Sequence, residues 1–138
     1  MLRKLLSLPK ARAILRFVLL FYGDPSTYFW EDDKGECHFI SQGEGGEQGD
    51  VLMSLLYVLG QHDALEAVDT LLKPDEDIYG FLDDIYVICH PDRVVDIFGI
   101  LQKELRRHAG IEINRGKTKV WNRGGIRPNV IETLGEYV

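Results

Sequence analysis

Two apolar runs, Ile78-Tyr79-Gly80-Phe81-Leu82 and Ile85-Tyr86-Val87-Ile88-Cys89, are separated only by Asp83-Asp84. Both are about five residues long and rich in β-branched and aromatic side chains, which marks them as strands. A two-residue connection forces such strands into a tight antiparallel hairpin. Connections of that length favour Asn-Gly or Asp-Gly, because their central residues take positive φ. Asp-Asp sets two like charges side by side instead, a local rule broken inside an otherwise consistent segment. Adjacent carboxylates at a rigid tip suit a hard cation, Mg²⁺ or Mn²⁺, bound through oxygen. The plainer alternative is a solvated acidic turn.

A hairpin needs a core to cover one of its faces, and 138 residues suffice for one domain with a real core. The apolar content of 45% and charged content of 28% are those of a globular protein. A net charge of −6 argues against a self-sufficient nucleic-acid binder. The charge is unevenly spread. Residues 1–23 hold five basic side chains and no acid, residues 24–77 hold fourteen acids against Lys34 and Lys73, and residues 103–127 hold eight basic side chains against Glu104 and Glu112. Basic ends around an acidic middle allow phosphate-binding surface beside a metal site, or simply solvated helix faces. Two cysteines, Cys37 and Cys89, make no disulfide framework and suit a reducing, intracellular compartment. Each precedes a histidine, but neighbours on a strand point to opposite faces, which argues against a Cys-His zinc site.

Residues 5–22 have helical spacing of Leu and Ile, with a restart at Pro9, and no apolar run there is long enough to span a membrane. Their basic, acid-free character also fits a mitochondrial presequence. Residues 28–30 and 37–40 predict a second hairpin around a polar loop. A glycine-rich loop over 42–50 then leads into an apolar helix over 51–72, with Asp50 as its N-cap. After the Asp-Asp hairpin, Pro91 starts a helix whose Val94, Ile97, Phe98, Leu101 and Leu105 share one face, closed at Gly110. Residues 111–113 and 118–121 read as strands, and Val130, Ile131, Leu134 and Val138 have helical spacing.

Three stretches carry a family resemblance. Gly46-Glu47-Gln48-Gly49-Asp50-Val51-Leu52-Met53-Ser54-Leu55-Leu56-Tyr57, Phe81-Leu82-Asp83-Asp84 and Gly110-Ile111-Glu112-Ile113-Asn114-Arg115-Gly116-Lys117-Thr118 resemble, in this order and spacing, the palm of reverse transcriptases, especially those of retrotransposons and group II introns. The match covers roughly residues 5–121. It departs at Val51, Met53 and Ser54, where the family usually has Pro, Ser and Pro.

The resemblance implies an α/β (α+β) polymerase palm, a ferredoxin-like sheet with the helices near 51–72 and 91–109 on one face. It implies RNA-directed DNA polymerase chemistry, a nucleotidyl transfer on an RNA template, DNA primer and dNTP with two Mg²⁺ or Mn²⁺ ions. By the match, Asp83 is the direct metal ligand and Asp84 supports it. Gln48 and Gly49 line the nascent base pair, Phe81 packs beneath the hairpin near the primer end, and Lys117 faces the triphosphate. The family's first metal aspartate lies on a strand before the helix that residues 5–22 resemble. The expectation is therefore a single partial palm, incomplete at the N-terminus, without fingers or thumb and inactive by itself. Its open sheet edge would await a missing N-terminal segment or another chain. Two alternatives stand beside this reading. One is a non-catalytic retroelement remnant that binds nucleic acid or protein; the other is a diguanylate-cyclase-like palm, from Gly45-Gly46-Glu47-Gln48.

Overall fold

A computed structural model describes residues 2–43, 49–124, 134 and 136–137 of the chain. It is a mixed α/β structure that divides into two compact units, Met1–Ser54 and Leu55–Val138. No helix among the described residues is long and apolar enough to cross a membrane.

In the first unit, α1 (Leu2–Ser7) stops before Pro9, and a 3-10 turn (Ala11–Ile14) leads into α2 (Leu15–Tyr22). The expected restart at the proline is therefore a full break between two short helices. Strands β1 (Thr27–Glu31) and β2 (Cys37–Ser41) form the expected hairpin, with Phe29 opposite Phe39 and Trp30 opposite His38. Asp32 organises its loop. One carboxylate oxygen accepts the Lys34 and Glu36 amides, each at 2.9 Å, and the other lies 3.1 Å from His38 Nε2.

The long helix α3 (Met53–Asp69) begins two residues later than expected. Asp50 caps the turn before it instead: its carboxylate accepts the Leu52 amide at 2.8 Å, and its carbonyl accepts the Met53 amide at 3.2 Å.

The second unit holds the hairpin of β3 (Asp77–Phe81) and β4 (Asp84–Ile88), followed by a 3-10 turn (Pro91–Arg93) and α4 (Val94–Ala109). As expected, α4 buries Ile97, Leu101 and Leu105 and ends at Gly110, whose φ of 68° is the left-handed conformation of a helix stop. The amides of Gly110 and Ile111 return to the carbonyls of Arg106 and Leu105. Helices α3 and α4 pack on one face of the hairpin around Ala64, Val68, Leu101 and Leu105, against which Ile78, Ile85 and Val87 rest. Burial of each large side chain there contributes about 1.5–3 kcal/mol.

Two sequence expectations fail after α4. Residues 111–113 form no ladder, although Ile111 and Ile113 do pack on the core. Only Lys119–Val120 (β5) is a strand, paired parallel with β6 (Glu136–Tyr137), where helical spacing had been read. The rest of that C-terminal pattern, apart from Leu134 in a turn, lies outside the described residues. The described strands form three separate two-stranded sheets, so what is established is mixed α/β with two helices backing one hairpin.

Candidate functional site

The β3–β4 hairpin differs from its sequence reading by one residue. Its two-residue connection is Leu82 and Asp83, not Asp83 and Asp84, and Phe81 pairs directly with Asp84. The alternation of faces survives, because moving the turn by one residue shifts each strand partner by two. Ile78 faces Val87 and Gly80 faces Ile85 on the helix side, while Tyr79 faces Tyr86 on the outer side. Asp83 thus sits at the tip and Asp84 begins β4.

The turn is held from below. Leu82 has a φ of 55°, the only positive value among the described non-glycine residues, at a cost of about 1 kcal/mol or more. Its carbonyl accepts a hydrogen bond from Gln61 Nε2 of α3 at 2.6 Å. A Cβ on Gly80 would lie 2.8 Å from Leu65 Cδ1, so a larger residue there requires the Leu65 side chain to shift. The base of the hairpin is clamped by ion pairs that bridge the segments before β3 and after β4. Asp75 Oδ2 lies 2.6 Å from His90 Nε2, and Glu76 Oε2 accepts from Arg93 at 2.8 Å. The Glu76 side chain is fully buried and its Oε2 also accepts the Lys73 amide at 2.9 Å. The hydrogen bond with His90 holds the Asp75 carboxyl below the usual carboxylate range.

Both turn carboxylates are exposed, and neither takes a hydrogen bond or ion pair from the described residues. Carboxylate oxygens are the donor type that hard cations take, although such ions need several of them. Tyr57, half-buried one helical turn before Gln61 on α3, has its hydroxyl pKa raised by burial and then by the charge of Asp83. Two groups of three metal-capable side chains occur among the described residues, Asp32, Glu36 and His38 in one and His62, Asp63 and Glu66 in the other. Neither includes Asp83 or Asp84, so among the described residues the turn offers two carboxylates rather than a closed ligand cage.

The remaining sequence candidates are scattered. Gln48 lies outside the described residues, as do Gly45, Gly46 and Glu47; Gly49 is exposed, with a φ of 89°. Phe81, expected beneath the hairpin, stands 69% exposed on the face away from the helices. The reason is alternation: Gly80 takes the inward position, and its neighbour must point out. Lys117 ends an exposed 3-10 turn (Arg115–Lys117), where the Asn114 side chain accepts the Gly116 amide at 3.0 Å and the Arg115 guanidinium lies 5.8 Å from the Phe98 ring centroid. No ion pair among the described residues joins Lys117 to Asp83 or Asp84. Of the two histidines that follow cysteines, His38 Nε2 lies 3.1 Å from Asp32 and His90 Nε2 lies 2.6 Å from Asp75. Sequence reading missed Gln61, Glu76 and Arg93, which stand beside other polar residues and carry no local signal of burial. No family model, curated protein or solved structure matches this chain.

Proposed function

We propose that the second unit is a metal-binding palm element of the reverse-transcriptase type, serving nucleotidyl transfer. The observation that carries this reading is the β3–β4 turn itself, with Asp83 at the tip and Asp84 beside it, neither side chain paired among the described residues, on a hairpin backed by two helices. Asp83 would be the direct ligand and Asp84 its support. When bound, a divalent cation supplies a lowered pKa for a primer hydroxyl and charge stabilisation at the reacting phosphate. The ammonium of Lys117 would face the triphosphate of a dNTP, and Phe81 on the outer face would meet the primer end. An RNA template and DNA primer are the partners this reading requires.

A second reading is favoured by the outer face of the hairpin, where Tyr79, Phe81, Tyr86 and Ile88 are all exposed. Such an apolar face suits a binding element without catalysis, for nucleic acid or protein.

Mn²⁺ titration followed by electron paramagnetic resonance separates the two. With two carboxylates the affinity is expected to be weak, and the Asp83→Asn, Asp84→Asn double variant should abolish it. Equal Mn²⁺ affinity in the double variant would sink the metal reading and leave the binding one.

A further inference from the structure

Helix α3 carries one polar side chain through its buried face. Gln61 is 1% exposed, on the same helix as the fully buried Ala64 and Val68. Burying an amide is unfavourable unless its polar atoms are bonded, and here only one end is. Nε2 donates to the Leu82 carbonyl at 2.6 Å, whereas Oε1 has no hydrogen-bond partner among the described residues. A methionine would fill similar space without either burden, so what the glutamine contributes is the bond to Leu82.

That bond acts at the strained point of the turn, the left-handed Leu82. The Leu82 carbonyl and the Asp83 amide belong to one planar peptide group. Fixing the direction of the carbonyl therefore fixes the plane from which Asp83 departs. Gly80 of β3 lies against the same helix, where a Cβ would come within 2.8 Å of Leu65 Cδ1.

We infer that Gln61 is a positioning residue for Asp83: by holding the Leu82 carbonyl, it sets the peptide plane that aims the Asp83 carboxylate. The inference rests on the reading of Asp83 as a metal ligand, but its structural half is measurable without metal.

In the full chain, through-hydrogen-bond NMR coupling between the Gln61 side-chain nitrogen and the Leu82 carbonyl carbon should be present. Its absence overturns the inference. Gln61→Met should move the Leu82 carbonyl and Asp83 amide resonances and weaken Mn²⁺ binding about tenfold, the scale of groups that orient a ligand. Val68→Ala, a core substitution on the same helix, should lower the melting temperature yet leave those resonances and the Mn²⁺ affinity within about twofold of the unmodified chain. If Val68→Ala weakens Mn²⁺ as much as Gln61→Met does, general loosening accounts for the effect and the inference fails. If Asp83-dependent Mn²⁺ binding is intact in Gln61→Met, the inference fails alone. If the unmodified chain binds no Mn²⁺ at Asp83, the metal reading fails, and the coupling to Leu82 still decides whether Gln61 holds the turn.

Discussion

The two hairpins β1–β2 and β3–β4 have the same five-residue strands and antiparallel pairing, yet they are stabilised differently. In β1–β2 the contacts run along the hairpin itself. Phe29 and Phe39 meet edge to face at 5.8 Å, Trp30 stacks on His38 at 5.1 Å, and Asp32 ties the loop. Phe39 nonetheless remains 75% exposed. In β3–β4 the contacts come from outside the hairpin: two helices on one face, Gln61 under the turn and a buried ion pair at the base. A strand signal suffices to make a hairpin. What makes a platform fit to hold a carboxylate in one place is non-local support for its turn and its base.

That contrast can be broken from the base upward. Arg93→Met leaves the buried Glu76 carboxylate without its cation and should destabilise the second unit by about 3 kcal/mol, read from urea unfolding. Adding Glu76→Gln should recover most of the loss, because the carboxylate left unpaired, not the missing pair, carries the penalty. Gly80→Ala drives a methyl against Leu65 and should cost about 1–3 kcal/mol. Phe39→Ala, on the exposed hairpin, removes one cross-strand aromatic pair and should cost only about 0.5–1 kcal/mol. If Phe39→Ala proves as damaging as Arg93→Met, the distinction between the hairpins is wrong.

Acid tests both hairpins at once. Asp32 is held below the usual carboxylate range chiefly by the Glu36 amide and then by His38, and Asp75 chiefly by His90. A carboxyl depressed on folding adds stability that is present above its unfolded pKa of about 4 and is lost as the pH falls through its folded value. Stability should therefore decline below about pH 4, and Asp75→Asn should flatten that decline in the second unit while Asp32→Asn does so in the first. Denaturant midpoints measured from pH 7 down to pH 2.5, with separate probes for the units, provide the check.

Sequence carried the local elements of this molecule much better than their supports. The apolar face of α4, its stop at Gly110 and both hairpins follow from periodicity and turn chemistry, which act over a few residues. The hairpin turn was misplaced by one residue because the two registers bury the same faces, and alternation cannot distinguish them. The deciding contact, Gln61 to Leu82, spans 21 positions and has no periodic signature. The same holds for Asp75 with His90 and Glu76 with Arg93, where charged residues from separate segments meet only once the hairpin is closed. Glu104 is another case. It is buried on α4, with His108 at 3.3 Å and Arg107 at 3.6 Å along the same helix, and its charge gives no sequence signal of that burial. At the candidate site, Asp83 and Asp84 were identifiable because they broke a turn rule. Lys117 and Phe81 came from resemblance; no ion pair among the described residues joins Lys117 to the turn, and Phe81 stands exposed on the outer face of the hairpin.

Paramagnetic broadening by Mn²⁺, mapped amide by amide on the full chain, tests most directly whether β3–β4 is the metal-bearing hairpin. The turn at Asp83 and Asp84 is to be distinguished from two other groups of metal-capable side chains among the described residues, Asp32, Glu36 and His38 on β1–β2 and His62, Asp63 and Glu66 on α3. At substoichiometric Mn²⁺, the first and strongest broadening should fall on residues 82–85 and disappear in the Asp83→Asn, Asp84→Asn variant. Broadening that begins at residues 32–38 or 62–66 and leaves residues 82–85 sharp would contradict a metal site at this turn.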